Sequence, residues 1–167
     1  MRLFVAINFN SGTRFHLIAL RDELQGKSEC GRFSAPENLH LTLAFLGECD
    51  GKQTTAAKAV VAATEFMPFE VAIERIGNFR PNLWWAGLRK DKPLMTLQRD
   101  LSDRLADAGF TLERRQFNPH ITLGREVVTD KAPWRIEPFG EVVSSIELMK
   151  SERINGRLTY TAIAKSR

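Results

Sequence analysis

The sequence predicts an α+β fold built from two related lobes. Its 167 residues are 43% hydrophobic and 26% charged, the composition of a folded domain rather than of a disordered chain. Strand-like and helix-like hydrophobic periodicities alternate along its length. The segment Asn-Leu-His-Leu-Thr-Leu at 38–43 returns as Asn-Pro-His-Ile-Thr-Leu at 118–123, and no low-complexity linker separates the copies. We therefore expect residues 1–167 to form a single domain with two pseudo-symmetric lobes.

The first third of the chain predicts two strands and two helices. An apolar stretch at 2–8 is typical of a strand. A helical stripe of apolar residues follows it, and Ser11 or Thr13 is the candidate N-cap. A second strand is expected at 39–46 and an alanine-rich helix at 54–66.

The rest of the chain continues the alternation, with turns marked by Asn, Gly and Pro residues such as Pro81 and Gly156. Pro93 suits the first turn of a third helix, whose leucines recur on one face. The predicted elements are strands at 69–76 and 83–88, the helix that Pro93 opens, and strands at 120–125, 141–149 and 157–164.

Composition excludes several classes of protein. Cys30 and Cys49 have neither CxxC spacing nor histidines close by, so we expect two free thiols in a reducing compartment. The apolar segment at 3–9 is too short for a signal peptide, and no stretch approaches a membrane span, so a cytoplasmic protein without membrane contact is expected. The net charge of +4 favours anionic ligands only weakly.

The repeated segment places the same chemical groups on two strands. Because alternate side chains of a strand share a face, His40 and Thr42 should project together, as should His120 and Thr122. If the two strands lie side by side, two imidazoles and two hydroxyls converge on one cleft. A single His-x-Thr is usually a half-exposed strand face, but two such motifs at equivalent positions indicate function.

These groups match the needs of phosphodiester cleavage. Histidine titrates near neutral pH, so one imidazole can act as base and the other as acid. The threonine hydroxyls can donate to the non-bridging phosphate oxygens. With three histidines and no His/Asp/Glu triad at ligand spacing, we predict neither a metal nor another cofactor. The third histidine, His16, is expected to lie at the edge of the first helix.

The paired motifs resemble those of the 2H phosphoesterase superfamily. Their contexts at 39–47 and 117–125 are similar to the bacterial RNA 2′,3′-cyclic phosphodiesterase branch, also called 2′-5′ RNA ligase, and the likeness spans nearly the whole chain. The resemblance implies a bilobal fold in which two antiparallel sheets form a V-shaped central groove with helices outside. It also implies metal-independent hydrolysis of RNA 2′,3′-cyclic phosphate ends to 2′-phosphate ends. In this family pattern His40 is the proton donor to the departing 3′ oxygen and His120 is the proton acceptor.

Two further residues are candidates for substrate binding. Phe45 and Arg125 each follow a motif histidine by five positions, and each has a planar group on which a nucleobase could stack. Strict alternation would place them opposite the histidines, so a bulge near Gly124 is required. The alternative is that Phe45 belongs to the core and Arg125 is a surface cation.

Other features leave alternatives open. One of Trp84 and Trp85 should face outwards, with core packing favoured over base stacking, and Arg114 and Arg115 could attract an RNA backbone or form an ordinary loop. The expected partner is RNA or an oligonucleotide with a 2′,3′-cyclic phosphate end, bound by a monomer. Alternatives are 2′-5′ RNA ligation, a 2′-5′ oligonucleotide or cyclic nucleotide phosphodiesterase, and a catalytically idle nucleotide- or RNA-binding module.

Overall fold

The computed structural model describes residues 1–79, 82–113 and 115–167. Within these ranges the chain forms nine strands and three α-helices, which confirms the predicted α+β class. They are β1 (Arg2–Ile7), α1 (Ser11–Gly26), β2 (Cys30–Phe33), β3 (Leu41–Glu48), α2 (Gly51–Ala63), β4 (Phe69–Phe79), β5 (Leu83–Leu88), α3 (Lys92–Asp107), β6 (His120–Val128), β7 (Trp134–Val143), β8 (Glu147–Ile154) and β9 (Arg157–Lys165). A short 3₁₀ turn, Pro36–Asn38, precedes β3.

The strands form two antiparallel sheets in which the histidine-bearing strands have equivalent positions. One sheet has the order β3-β1-β8-β9 and the other β2-β6-β5-β4-β7. In each sheet a strand is followed by a helix, after which the chain returns as the histidine-bearing strand beside it: β1, α1 and then β3 in the first sheet, with β2 between α1 and β3, and β5, α3 and β6 in the second. The first sheet therefore corresponds to β6-β5-β4-β7 of the second, with β2 added at its edge. The predicted bilobal duplicated fold is confirmed.

Packing of the two histidine-bearing strands against the core determines which of their side chains face the solvent. Leu41 and Leu43 of β3 and Ile121 and Leu123 of β6 are almost completely buried in the main hydrophobic core. Burying a side chain of this kind contributes roughly 1.5–3 kcal/mol. Because neighbouring side chains in a strand alternate, this anchoring turns the histidine and threonine of each motif away from the core.

Helix positions differ slightly from the predictions. Asn10, rather than Ser11 or Thr13, caps α1, because its side-chain oxygen accepts a hydrogen bond from the Thr13 amide at 2.9 Å. The second helix begins at Gly51 instead of residue 54, since Asp50 forms a reciprocal capping box with the third helical residue. Pro81, proposed as a turn residue, lies outside the described residues.

Two strands were not predicted, and one predicted strand is wrong. The segment 141–149 spans the end of β7, a break at 144–146 and the start of β8. Val143 and Ile146 are buried on either side of that break, so the apolar pattern continues where the strand does not. The strands β2 and β7 are edge strands with exposed, partly charged sequences, and β7 also contains Pro138.

The two cysteines differ in their exposure. Cys30 is exposed and Cys49 is buried, and both are free thiols. In the described part of the chain, no helix is long and apolar enough to cross a membrane.

Candidate active site

A groove of about 450 Å³ lies between the two sheets. Its lining includes all six residues that the sequence nominated, namely His40, Thr42 and Phe45 from the first sheet and His120, Thr122 and Arg125 from the second. The strands that carry them lie in different sheets, in agreement with the predicted groove between two sheets. Each already pairs within its own sheet, β3 with β1 and β6 with β2 and β5, so the two motifs meet across the groove.

A bulge in each histidine strand brings the fifth residue after the histidine into the groove. In β3 the pairing with β1 passes directly from Thr42 to Ala44 and leaves out Leu43. In β6 the pairing with β5 passes from Thr122 to Gly124 and leaves out one residue in the same way. Each extra residue reverses the alternation, so Phe45 and Arg125 share the histidine face. The bulge predicted near Gly124 is therefore present, with an equivalent in the first motif.

His40 is held at both ring nitrogens. Its Nδ1 lies 2.7 Å from the Asn38 carbonyl oxygen, and its Nε2 lies 2.8 Å from the Thr42 hydroxyl oxygen. Because a carbonyl oxygen can only accept, Nδ1 carries the hydrogen, and in the neutral ring Nε2 accepts from the hydroxyl. The ring packs against two aromatic side chains, with its centroid 4.8 Å from that of Phe4 and 5.2 Å from that of Tyr160.

His120 repeats this arrangement with its second nitrogen unengaged. Its Nδ1 donates to the Asn118 carbonyl oxygen at 2.6 Å. The ring packs edge-on against Phe79 at 5.1 Å and lies 6.0 Å from Trp85. Among the described residues, neither Nε2 of His120 nor the Thr122 hydroxyl has a protein hydrogen-bond partner. Both groups are therefore available to a ligand.

Both imidazoles favour the neutral form in the free protein. Burial is the main cause that lowers the pKa of His40, the hydrogen bond to Asn38 opposes it, and the charges of His120 and Arg125 add to the lowering. Burial likewise lowers the pKa of His120, the hydrogen bond to Asn118 raises it, and Arg125 lowers it further. An anionic ligand would oppose these effects, because it stabilises the protonated ring.

Tyr160 and Asn38 are groove residues that sequence reasoning did not single out for a role. Burial raises the pKa of Tyr160, so the phenol stays neutral beside His40. The Asn38 side chain donates to the Leu158 carbonyl oxygen of β9 at 3.0 Å. A signal for Asn38 was present, since an asparagine precedes both motif histidines by two positions.

The tryptophan pair is wholly internal, so the expectation that one faces outwards is wrong. Trp84 packs in the core near Trp134, while Trp85 lies on the groove side next to His120. Room for the Trp85 ring comes from neighbouring glycines; a Cβ atom on Gly87 would lie 2.7 Å from it. This close approach requires glycine and buries the ring.

Two other sequence candidates lie elsewhere. Arg115 is exposed, does not line the groove and pairs with Glu113, while Arg114 lies outside the described residues. His16 is exposed on α1 and packs near Phe139, as expected. In residues 1–79, 82–113 and 115–167, no three His, Cys, Asp or Glu side chains cluster so as to hold a metal ion.

Paired His-x-Thr motifs on two antiparallel sheets that face one groove define the class of two-histidine (2H) phosphoesterases. Within this class, a family model described as the 2′-5′ RNA ligase superfamily matches residues 14–155, and the chain belongs to that family. The family predicted from the paired motifs is thereby confirmed.

Individual relatives and a solved structure agree with this assignment. An RNA 2′,3′-cyclic phosphodiesterase of Escherichia coli is 32% identical, over 98% of this chain and 94% of the relative. A protein of the same name from Archaeoglobus fulgidus is 31% identical, over 85% of each chain. The crystal structure of E. coli LigT complexed with 3′-AMP matches with a TM-score of 0.85 and 30% identity, covering 98% of this chain and 95% of that one.

Proposed function

We propose that this protein hydrolyses 2′,3′-cyclic phosphate ends of RNA to 2′-phosphate ends. The observation that carries the proposal is the pair of imidazoles in one groove, each with Nδ1 bonded to a backbone carbonyl, so that Nε2 is the nitrogen that can exchange a proton. Nε2 of His120 has no protein partner among the described residues, and Nε2 of His40 is bonded to the Thr42 hydroxyl. The names of the E. coli and A. fulgidus relatives support the substrate class. We propose further that the protein is a single-domain, monomeric enzyme of the cytoplasm. It binds RNA or an oligonucleotide through the end that carries the cyclic phosphate.

In the proposed reaction the two Nε2 atoms transfer the protons. A water molecule attacks the phosphorus atom opposite the 3′ oxygen, and Nε2 of His120 accepts its proton. The bond between phosphorus and the 3′ oxygen breaks, and Nε2 of His40 donates a proton to that oxygen. The products are a 2′-phosphomonoester and a free 3′ hydroxyl. The availability of Nε2 of His120 supports its role as proton acceptor.

Other groove residues act on the phosphate charge. The Thr42 and Thr122 hydroxyls can donate to the non-bridging oxygens, where negative charge develops in the transition state. The Arg125 guanidinium lines the same groove and its charge lowers the pKa of both imidazoles, which supports a role for it in binding the reacting phosphate. These groups supply the acid, the base and the charge stabilisation without a metal ion.

Phe45 is suited to contact the terminal nucleobase. The residue is 50% exposed and lines the groove, and the Arg2 guanidinium lies 4.9 Å from the centroid of its ring. A base stacked on an exposed aromatic ring typically contributes about 1–3 kcal/mol to single-strand binding. We assign Phe45 and Arg125 to substrate binding on this basis.

The test is hydrolysis of a dinucleotide that ends in a 2′,3′-cyclic phosphate, in excess chelator, with identification of the product. The expected result is full activity and a 2′-phosphate product. A 3′-phosphate product, or activity that requires added metal, would overturn the proposal. Parallel assays with 2′-5′ linked dinucleotides, cyclic nucleotides and ligatable ends separate it from the other reactions that the same groove could perform. Binding without turnover of any substrate would indicate an idle binding module.

A further inference from the structure

The groove carries more positive charge than one reacting phosphate needs. Among the described residues, four arginines line it, Arg32, Arg125, Arg153 and Arg157, against one carboxylate, Glu37. A cyclic phosphate diester has a single negative charge. One guanidinium group is enough to balance that charge, so the positive charge of the other three is available to other phosphates.

The arginines fall into two sets. Arg125 lies on the histidine face of β6, in the groove with both imidazoles, so we assign it to the reacting phosphate. The other three, which we call the rim arginines, come from opposite sides of the groove. Arg32 lies on β2 of the second sheet, while Arg153 and Arg157 flank the turn between β8 and β9 of the first.

The rim arginines are accessible to a ligand. Arg32 pairs with Glu126 at 2.9 Å and Arg157 pairs with Glu37 at 3.2 Å, and all four side chains are more than half exposed. Exposed pairs of this kind contribute only about 0–1 kcal/mol, so a phosphate can replace the carboxylate. Arg153 has no carboxylate partner among the described residues, and its Nη1 donates to the Gly156 carbonyl oxygen at 3.2 Å.

We infer that the rim arginines bind phosphates of the RNA strand on the 5′ side of the reacting nucleotide. This inference rests on the proposed function and narrows its substrate to oligonucleotides in preference to mononucleoside cyclic phosphates. The strand is covalently joined to the reacting nucleotide, so its nearest phosphates are held close to the arginines that line the same groove. Guanidinium groups bind phosphate oxygens through two parallel hydrogen bonds, which makes arginine suited to such contacts.

The test compares the salt dependence of kcat/KM for two substrates, a mononucleoside 2′,3′-cyclic phosphate and a short oligonucleotide with the same end. Each phosphate contacted in a single strand adds about −0.7 to the slope of log kcat/KM against log salt concentration. If three phosphates are contacted, raising the salt concentration from about 50 to about 200 mM should lower kcat/KM for the oligonucleotide about twentyfold more than kcat/KM for the mononucleotide.

Substitutions of the rim arginines test whether these residues cause the difference in salt dependence. Arg153→Gln and Arg157→Gln should each reduce the ratio of the two kcat/KM values and flatten the oligonucleotide slope by about 0.7. Arg153→Lys retains the charge and should retain most of the slope. Arg99→Gln is a matched control, because Arg99 is an exposed arginine on α3 that does not line the groove, and the slope should not change.

The outcomes distinguish this inference from the proposed function. Hydrolysis of both substrates with equal salt slopes, or rim variants with unchanged slopes, would overturn the inference and leave the function intact. No hydrolysis of either substrate would overturn both.

Discussion

The backbone carbonyl oxygen of Asn38 lies 2.7 Å from Nδ1 of His40 and fixes which ring nitrogen carries the hydrogen. Asn118 holds His120 in the same way at 2.6 Å. In both motifs the chain segment just before the strand therefore selects the tautomer that presents Nε2. The internal repeat includes this positioning contact as well as the reactive groups.

The two asparagines differ in what their side chains do. Asn38 ties the turn before β3 to Leu158 of β9, whereas Asn118 is exposed and has no side-chain hydrogen bond among the described residues. Asn38→Ala should lower kcat about tenfold with little change in KM, because a small displacement of a catalytic group is costly. Asn118→Ala is the matched control and should behave like the wild type. Steady-state kinetics on the cyclic-phosphate dinucleotide measure this; equal effects in both variants would contradict it.

Removal of either motif histidine should abolish most turnover. Proton transfer by a positioned side chain contributes typically about 10²–10⁴-fold, so His40→Ala and His120→Ala should each lose activity on that scale. The double variant should be little worse than either single variant, because the two act as a unit. His16→Ala is the control, since this third histidine is exposed on α1 outside the groove. Activity close to the wild type in either motif variant would contradict the assignment.

The order of the two proton transfers has its own test. In a substrate with sulfur in place of the 3′ oxygen, the leaving thiolate needs no protonation, because thiols ionise near pH 8–9. His40→Ala should regain much of its activity on this substrate, whereas His120→Ala should not. Recovery of the His120 variant alone would reverse the two roles.

Sequence reasoning located the reactive groups because they lie within one short repeat. The alternation of side chains along a strand was enough to place His40 with Thr42 and His120 with Thr122. The position of Phe45 and Arg125 was harder to predict, since it depends on a bulge in each strand.

Features that depend on distant contacts could not be read from local patterns. The contact of Asn38 with Leu158 joins residues 120 positions apart. The edge strands β2 and β7 are largely exposed or only half-buried, and they are strands because of the neighbours with which they pair. The relation of the two motifs across a groove likewise depends on which sheet each strand joins.

The motif threonines should matter less than the histidines. Loss of one well-placed donor costs about 2.7–4 kcal/mol, or about 10²–10³ in kcat, so Thr42→Ala and Thr122→Ala should not exceed this range. The serine variants retain the hydroxyl and should recover most activity. Thr42→Ala should also change the pH profile, because the Thr42 hydroxyl is bonded to Nε2 of His40. A serine variant as impaired as the alanine variant would argue against a role for the hydroxyl.

The pH dependence of kcat/KM reports the two imidazoles in the free enzyme. Activity falls below the pKa of the base, which must be neutral, and above the pKa of the acid, which must be protonated. Burial, with a contribution from Arg125, lowers the pKa of both rings from the ordinary value of 6.5. The kcat/KM profile should therefore be bell-shaped, with its maximum on the acidic side of about pH 6.5.

Arg125 provides the means to shift that profile. Arg125→Gln removes a positive charge that disfavours protonation of both imidazoles, so both pKa values rise and the maximum moves to higher pH. Its height should fall as well, because a cation beside the reacting phosphate is lost. Arg125→Lys retains the charge and should keep the maximum near its wild-type pH, even if the loss of the planar group weakens binding. If the Gln variant kept the wild-type pH maximum, the charge of Arg125 would not act on the catalytic pair. A shift of the Lys variant equal to that of the Gln variant would assign the effect to shape instead of charge.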